Sequence, residues 1–412
     1  MTDIQARADR SPAKQWEGAV GKPALAYIDC LRGFAILMVI VTHTTYLFPE
    51  LPYPVHRLGA FGWYGVQLFF LASCLTLMMS ADYERARTGR MSSRNFFLRR
   101  FFRIAPMYYL AAGLYMIVAP TGNANPLQLL ASLSFVNAWH PVTMTTTGDW
   151  QVVPGGWSIG VEFTFYFLFP LFFAWVSSAR RAFLLLLAML GLGVALNGYL
   201  MPNLAARYGS EAADNFLYFW FFNQAPVFVL GALTFFAIRA TEMHPDWLLT
   251  QRLRRHAGAA VTGALLFILI VAMAPLPLTH NLMPVPVVPQ FLAASCAFSL
   301  FVVTISQARH TILVNSLFAW IGKVSFSAYL LHFAVIQLVL EDHPEFFHLN
   351  AKSWSAIWAF GWDTALIVAI TTFVSSLTYL GIEKPMMNWA RMLTRKHAVA
   401  ADKRPQPVIA SS

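Results

Sequence analysis

The chain has 412 residues, of which 58% are hydrophobic and only 12% charged, with 35 Phe and 13 Trp. Soluble domains carry about 25% charged residues, so composition excludes a soluble fold. The net charge of +10 raises nucleic acid as a partner, but the positions of the charges assign them to membrane topology instead.

In chain order, residues 1–25 are polar with little apolar periodicity and are expected to form a disordered cytoplasmic tail. Apolar runs follow at 31–48, 62–80, 104–119, 157–176, 182–200, 216–238, 258–275, 290–306, 316–340 and 357–381. Their length fits membrane-crossing helices rather than the ten-residue alternation of a barrel. The expected fold is therefore an all-α polytopic membrane protein, a bundle of about ten transmembrane helices with both termini cytoplasmic. Its membrane domain spans 26–390, and 391–412 form a second cytoplasmic tail, expected to be disordered. The first apolar run begins only near residue 33, so it is expected to stay as an anchor rather than to be cleaved. When the spans alternate from a cytoplasmic N-terminus, only Arg57, Arg207 and Lys352 of the 29 Lys and Arg fall in outer loops. That bias is the positive-inside pattern; it fixes the orientation and assigns the charge to topology rather than to nucleic acid, and the expected location is the cytoplasmic (inner) membrane.

Between the third and fourth spans lies a connection, 120–156, too long to be a simple turn. Within it, 127–139 is apolar but too short to cross, which predicts a re-entrant or interfacial element serving as a lid or acceptor-binding segment. The proline-rich connections 49–60 and 276–289 are expected to be stiff linkers. No internal repeat is visible. Cys30, Cys74 and Cys296 lie in or beside separate apolar runs without CxxC or Cys/His clustering, so neither a disulfide framework nor a metal site is expected.

Three stretches carry candidate chemistry. In IDCLRGFAILMVIVTHTTYLF, 28–48, Asp29 and Arg32 stand at the entrance and His43 lies deep inside. Arg32 and His43 are separated by three helical turns plus about 20°, so they share one face with a rise of about 16 Å. An imidazole at that depth must face protein or water, which makes it a functional candidate against the plainer reading of a histidine satisfied by a neighbouring helix. In RNFFLRRFFRIAPMYY, 94–109, Arg100 and Arg103 are helical neighbours. Topology and anionic lipid head groups account for basic residues here. Their RxxR spacing also suits a phosphorylated ligand, because guanidinium groups match phosphate in geometry as well as charge. In PGGWSIGVEFTFYFLFP, 154–170, Glu162 sits about 8 Å inside an apolar helix with Ser158 one turn earlier.

His43 and Glu162 lie at similar depths in the outer half of the bilayer. His332, Gln67, Asn223 and Gln224 reach the same layer, as a shared polar cavity requires; Asp363 is at that depth but otherwise unconnected. For His332 a structural and a catalytic reading are equally open. An imidazole beside a carboxylate in a dry cavity is a general-base arrangement. GxSxG, HExxH and P-loop patterns are absent.

Together these residues resemble the membrane-bound acyltransferase family 3, the integral-membrane O-acyltransferases of surface polysaccharides. The resemblance rests on Arg32 and His43 in IDCLRGFAILMVIVTH, on Arg100 and Arg103 in RRFFRIAPMYY, and on Ser158 and Glu162 in WSIGVEFTFY. KVSFSAYLLHF and the late IEKP complete it, over about residues 25–390. Leu331 stands where the family often has an aromatic residue before the late histidine. The resemblance implies acyl-CoA (acetyl-CoA foremost) as a co-substrate entering from the cytoplasm, with no permanently bound cofactor. The acceptor it implies is a carbohydrate hydroxyl on the outer side, free or lipid-linked. It further implies His43 and Glu162 as the catalytic pair and Arg32, Arg100 and Arg103 as donor-binding residues, with Asp29, Ser158 and His332 in supporting roles. Acylation of a small secreted molecule is an alternative within the same class. Outside it stand a secondary transporter with a midplane His/Glu site, and a scaffold of an export complex.

Overall fold

A computed structural model describes residues 26–118, 125–144, 152–275, 281–283, 288–308, 312–341, 348, 351–352 and 354–402. Among them all regular structure is helical, and eight helices are long and apolar enough to cross a membrane, or ten if each of two bent pairs is one span. The expected all-α polytopic fold is thus observed, and every predicted apolar run coincides with one of these helices or bent pairs.

The first helix, α1 (Ala26–Thr45), is the axis of the site. Its residues Leu31, Ala35, Ile36, Val39 and Ile40 are almost fully buried. Helix α2 (Tyr53–Phe61) and a 3-10 turn lead into α3 (Gly65–Thr88), which packs along α1. The stretch expected to be a stiff proline-rich linker is therefore largely helical. Pro54 falls in the first turn of α2, where no backbone N–H is needed for the helix ladder.

Helix α4 (Ser93–Val118) carries the basic RxxR and is followed by the short α5 (Pro126–Leu133). That segment, with the 3-10 turn Asn137–Trp139, does not cross. It docks on its neighbours through a 2.6 Å hydrogen bond between the Tyr108 and Ser132 hydroxyls. Trp139 Nε1 also donates to Thr164 Oγ1 at 3.0 Å, and Phe135 stacks on Phe163 at 3.8 Å. The parts of the connection at 119–124 and 145–151 lie outside the described residues.

Helices α6 (Trp157–Trp175), α7 (Ala179–Tyr208), α8 (Ser210–Phe219) and α9 (Phe221–Met243) follow. A buried amide network joins four of the helices. Gln67 Nε2 donates to Gln224 Oε1 at 3.1 Å and to Tyr218 Oη at 3.3 Å, while Asn197 Nδ2 donates to Asn223 Oδ1 at 3.0 Å. Gln67, Asn223 and Gln224, expected at the depth of His43, serve as interhelical glue and do not line the cavity that holds Glu162.

The short α10 (Leu248–Arg255) turns by 86° into α11 (Ala257–Met273), and α12 (Gln290–Gln307) follows. Next, α13 (Ser316–Lys323) bends by 76° into α14 (Ser325–Ile336). The crossing of α13 over α1 depends on glycine. A Cβ on Gly322 would stand 1.7 Å from the carbonyl oxygen of Asp29, and one on Gly33 would stand 2.5 Å from that of Phe318. Backbone thus touches backbone beside Arg32, and the start of α14 is held against the entrance of α1. Without a hydrophobic force between helices in lipid, such close approach is what lets dispersion hold the pair.

Finally come α15 (Trp354–Thr378), a π turn at Tyr379–Glu383, and α16 (Lys384–Asp402). Helix therefore runs as far as Asp402 into the stretch expected to be a tail. The N-terminal tail, 1–25, and residues 403–412 lie outside the described residues, as does most of the second proline-rich connection. Asp363 on α15 is buried and accepts from the backbone N–H of His348 at 3.1 Å, which accounts for its carboxylate away from the site.

Candidate active site

A partly open cavity is lined by Arg32 from α1, Ser73 from α3, Arg100 and Arg103 from α4, Ser158 and Glu162 from α6, and Tyr329 from α14. Local sequence explains the basic end. Arg100 and Arg103, three apart on α4, project from one face, and the glycine crossing of α1 and α13 fixes Arg32 beside them. Arg32 Nη2 donates to Thr76 Oγ1 at 2.9 Å, and its Nη1 lies 3.7 Å from the Asp29 carboxylate. Arg100 sits 5.8 Å from the centroid of the Tyr166 ring, and its buried Nε has no hydrogen-bond partner among the described residues. Three guanidinium groups thus face one carboxylate, Glu162, across the cavity. The surplus of positive charge, in fork-shaped donors, suits a phosphorylated ligand.

Glu162 is held at this basic end. Ser73 Oγ donates to its Oε1 at 2.6 Å, and the Tyr166 hydroxyl donates to the same oxygen. Tyr166 follows one turn after Glu162 on α6, so that partner has a signal in the sequence. Ser73 comes from another helix and has none.

Further along the cavity, three polar groups form a closed triangle. Ser158 Oγ lies 2.9 Å from Tyr329 Oη and 3.0 Å from the Gly155 carbonyl oxygen, and Tyr329 Oη lies 3.0 Å from that same oxygen. Gly155 adopts φ +75°, the left-handed conformation that glycine accepts without a Cβ penalty, and so the Pro154–Gly156 turn wraps the tyrosine hydroxyl.

One turn beyond Tyr329 on α14 stands His332, fully buried, with Nδ1 2.7 Å from the Tyr329 carbonyl oxygen. Its ring centroid is 5.3 Å from that of His43, and both imidazoles flank Phe333, at 4.2 and 4.3 Å. The Trp63 ring lies 6.0 Å from that of His43. His43 is half-buried and makes no hydrogen bond to any described residue.

The structure thus brings Arg32, Arg100, Arg103, Glu162 and Ser158 to one cavity, with Asp29 behind Arg32, and brings His43 and His332 together next to it. Neither imidazole lines the cavity, and no hydrogen bond joins His43 to Glu162; Tyr329 stands between the two groups. Tyr329, Ser73 and Tyr166 belong to the site without having been singled out from sequence.

The sequence profile of the family described as an acyltransferase domain, acyltransferase 3, matches residues 25–380. The chain belongs to that family. The acyltransferase is 25% identical over 403 residues to Acyltransferase MdmB of Streptomyces mycarofaciens, a match that covers 90% of this chain and 92% of the relative. It is 27% identical over 183 residues to Peptidoglycan O-acetyltransferase OatA of Listeria monocytogenes, covering 40% of this chain and 27% of that protein. No solved structure matches the acyltransferase.

Proposed function

We propose that the protein is an acyl-CoA-dependent O-acyltransferase of the inner membrane, moving an acyl group, acetyl foremost, from cytoplasmic acyl-CoA to a hydroxyl of an exopolysaccharide or lipopolysaccharide sugar. The observation that carries the reading is the gathering of Arg32, Arg100 and Arg103 at one end of a cavity in a chain of this family. The phosphates of CoA rest among these guanidinium groups, and the pantetheine arm runs toward the outer end of α1. Arg32 and His43 mark that path, about 16 Å apart along the helix. The name of the peptidoglycan O-acetyltransferase relative supports a carbohydrate acceptor.

At the outer end the lone pair of His43 accepts the proton of the acceptor hydroxyl as its oxygen attacks the thioester carbon. The new C–O bond forms, the C–S bond breaks, and the imidazolium returns the proton to the departing thiolate, giving ester and free CoA. Glu162 supports the reaction from the donor side, where Ser73 and Tyr166 fix its carboxylate near Arg100.

The test is acetyl transfer in membranes containing the protein, read as release of CoA thiol from acetyl-CoA. Mass spectrometry of surface glycans, with and without the protein, gives the second readout. The expected result is CoA release and acetyl esters on the glycans, both lost in His43→Ala. Absence of CoA release with the unaltered protein, and identical glycans in its presence and absence, would overturn the reading in favour of transport or scaffolding. Esters on a secreted small molecule in place of the glycan would correct the acceptor alone.

A further inference from the structure

Apart from the carboxylate and the arginines, the most unusual polar atom near the site is Nε2 of His332. The side chain is fully buried, and this nitrogen has no hydrogen-bond partner among the described residues. The other ring nitrogen settles what Nε2 is. Nδ1 lies 2.7 Å from the Tyr329 carbonyl oxygen, which only accepts, so Nδ1 carries the hydrogen of the neutral ring. Nε2 then presents a bare lone pair. Buried acceptors are almost always satisfied, and one left open beside a functional site calls for a partner.

The neighbour is His43. The two ring centroids are 5.3 Å apart, inclined at 38°, and Phe333 lies beside both rings, 4.2 Å from His332 and 4.3 Å from His43. A neutral imidazole has one lone pair and one N–H. If the lone pair of His43 is to take a proton from an acceptor hydroxyl, its N–H must point elsewhere, and a base whose N–H has no acceptor is free to adopt the wrong tautomer. In activated nucleophile systems a third group fixes that choice. Glu162 does not do so here, since its carboxylate is committed to Ser73 and Tyr166 on the other side of Tyr329.

We propose that His332 is the positioning residue for His43: the two rings are not hydrogen-bonded in this structure, and a turn of the His43 ring brings its N–H onto the open Nε2 of His332, which directs the His43 lone pair toward the acceptor hydroxyl. The chain of contacts runs from the Tyr329 carbonyl through His332 to His43, and no proton leaves His332 during the reaction. This inference rests on the acyl-transfer reading for its kinetic consequence, though the approach of the two rings to 5.3 Å is independent of it.

Two substitutions of similar size separate a positioning role from packing. His332→Leu fills the space without an acceptor, while His332→Gln restores one near the place of Nε2. We expect His332→Leu to lower kcat about a hundredfold, within the range for losing one element of general-base catalysis, with KM for acetyl-CoA within twofold. We expect His332→Gln to recover at least tenfold of that loss. Independently of turnover, carbethoxylation of His43 by diethyl pyrocarbonate, followed by peptide mass spectrometry on the purified full-length protein, should slow at least fivefold in His332→Leu. Equal loss in both variants with lowered melting temperatures would overturn the proposal in favour of packing. So would unchanged kcat and unchanged carbethoxylation in His332→Leu. Slowed carbethoxylation in a protein that transfers no acyl group even unaltered would keep the imidazole pair and overturn the acyl-transfer reading instead.

Discussion

At the scale of single residues, the basic end of the cavity depends on shape as much as charge. Arg100 and Arg103 offer planar donors on one face of α4, and Arg100 presents an Nε that no described residue satisfies. Lysine keeps the charge but cannot supply the fork. Arg103→Lys is therefore expected to raise KM for acetyl-CoA at least tenfold with a much smaller effect on kcat, as measured by initial rates against donor concentration. Equal kinetics would remove these arginines from donor binding. Gly155 tests the triangle behind Ser158. An alanine there must hold φ +75° and place its Cβ 2.9 Å from the Tyr329 hydroxyl. The left-handed conformation alone costs about 1–2 kcal/mol, so Gly155→Ala should lower the melting temperature in detergent and weaken turnover as Tyr329 shifts.

Among elements, the contact of α1 with α13 does most to assemble the site. It places Arg32 beside the start of α14, and α14 in turn carries Tyr329 and His332. A methyl group at Gly322 would overlap the Asp29 carbonyl at 1.7 Å, so the two helices must part. Overpacking of this kind costs at least about 1–3 kcal/mol. Gly322→Ala should thus lower the melting temperature clearly and depress acyl transfer. Gly361→Ala on α15, where a Cβ meets nothing within 4 Å, should be neutral in the same assays. Similar melting curves for the two variants would show that the crossing does not need bare backbone. The 76° break between α13 and α14 matters for the same reason, because it lets one stretch of chain touch Arg32 and also project His332 toward His43.

For the whole molecule, the arrangement is a membrane bundle with a basic cavity next to a pair of imidazoles, Tyr329 standing between them. The proposed direction of transfer needs the arginines on the cytoplasmic side and the end of α1 on the outer side. That orientation is open to a direct test. In intact cells a membrane-impermeant maleimide should label Lys352→Cys, whereas Arg252→Cys on α10 should react only after the membrane is opened. Both positions are exposed; Cys30 and Cys74 are buried, and the exposed Cys296 is replaced by serine in both variants so that it does not react. The reverse pattern would place the arginine cavity outside and exclude cytoplasmic acyl-CoA as the donor.

The sequence by itself determined the helices and where along each of them the polar residues fall. Runs such as 31–48 and 290–306 are long and apolar, and in lipid such a run can satisfy its backbone only as a helix. It also gave the shared face of Arg32 and His43 and the neighbourhood of Arg100 and Arg103, because helical rise and phase are local quantities. Only the tertiary structure decided which side chains meet across helices. Depth alone puts His43, Glu162, His332 and Gln67 in one layer, but it says nothing about the rotation of each helix about its own axis. Those rotations, set by close contacts such as Gly322 against Asp29, put Glu162 with the arginines, Gln67 in an amide network, and His332 beside His43. Such contacts join residues hundreds of positions apart in the chain, and their geometry depends on all the packing around them.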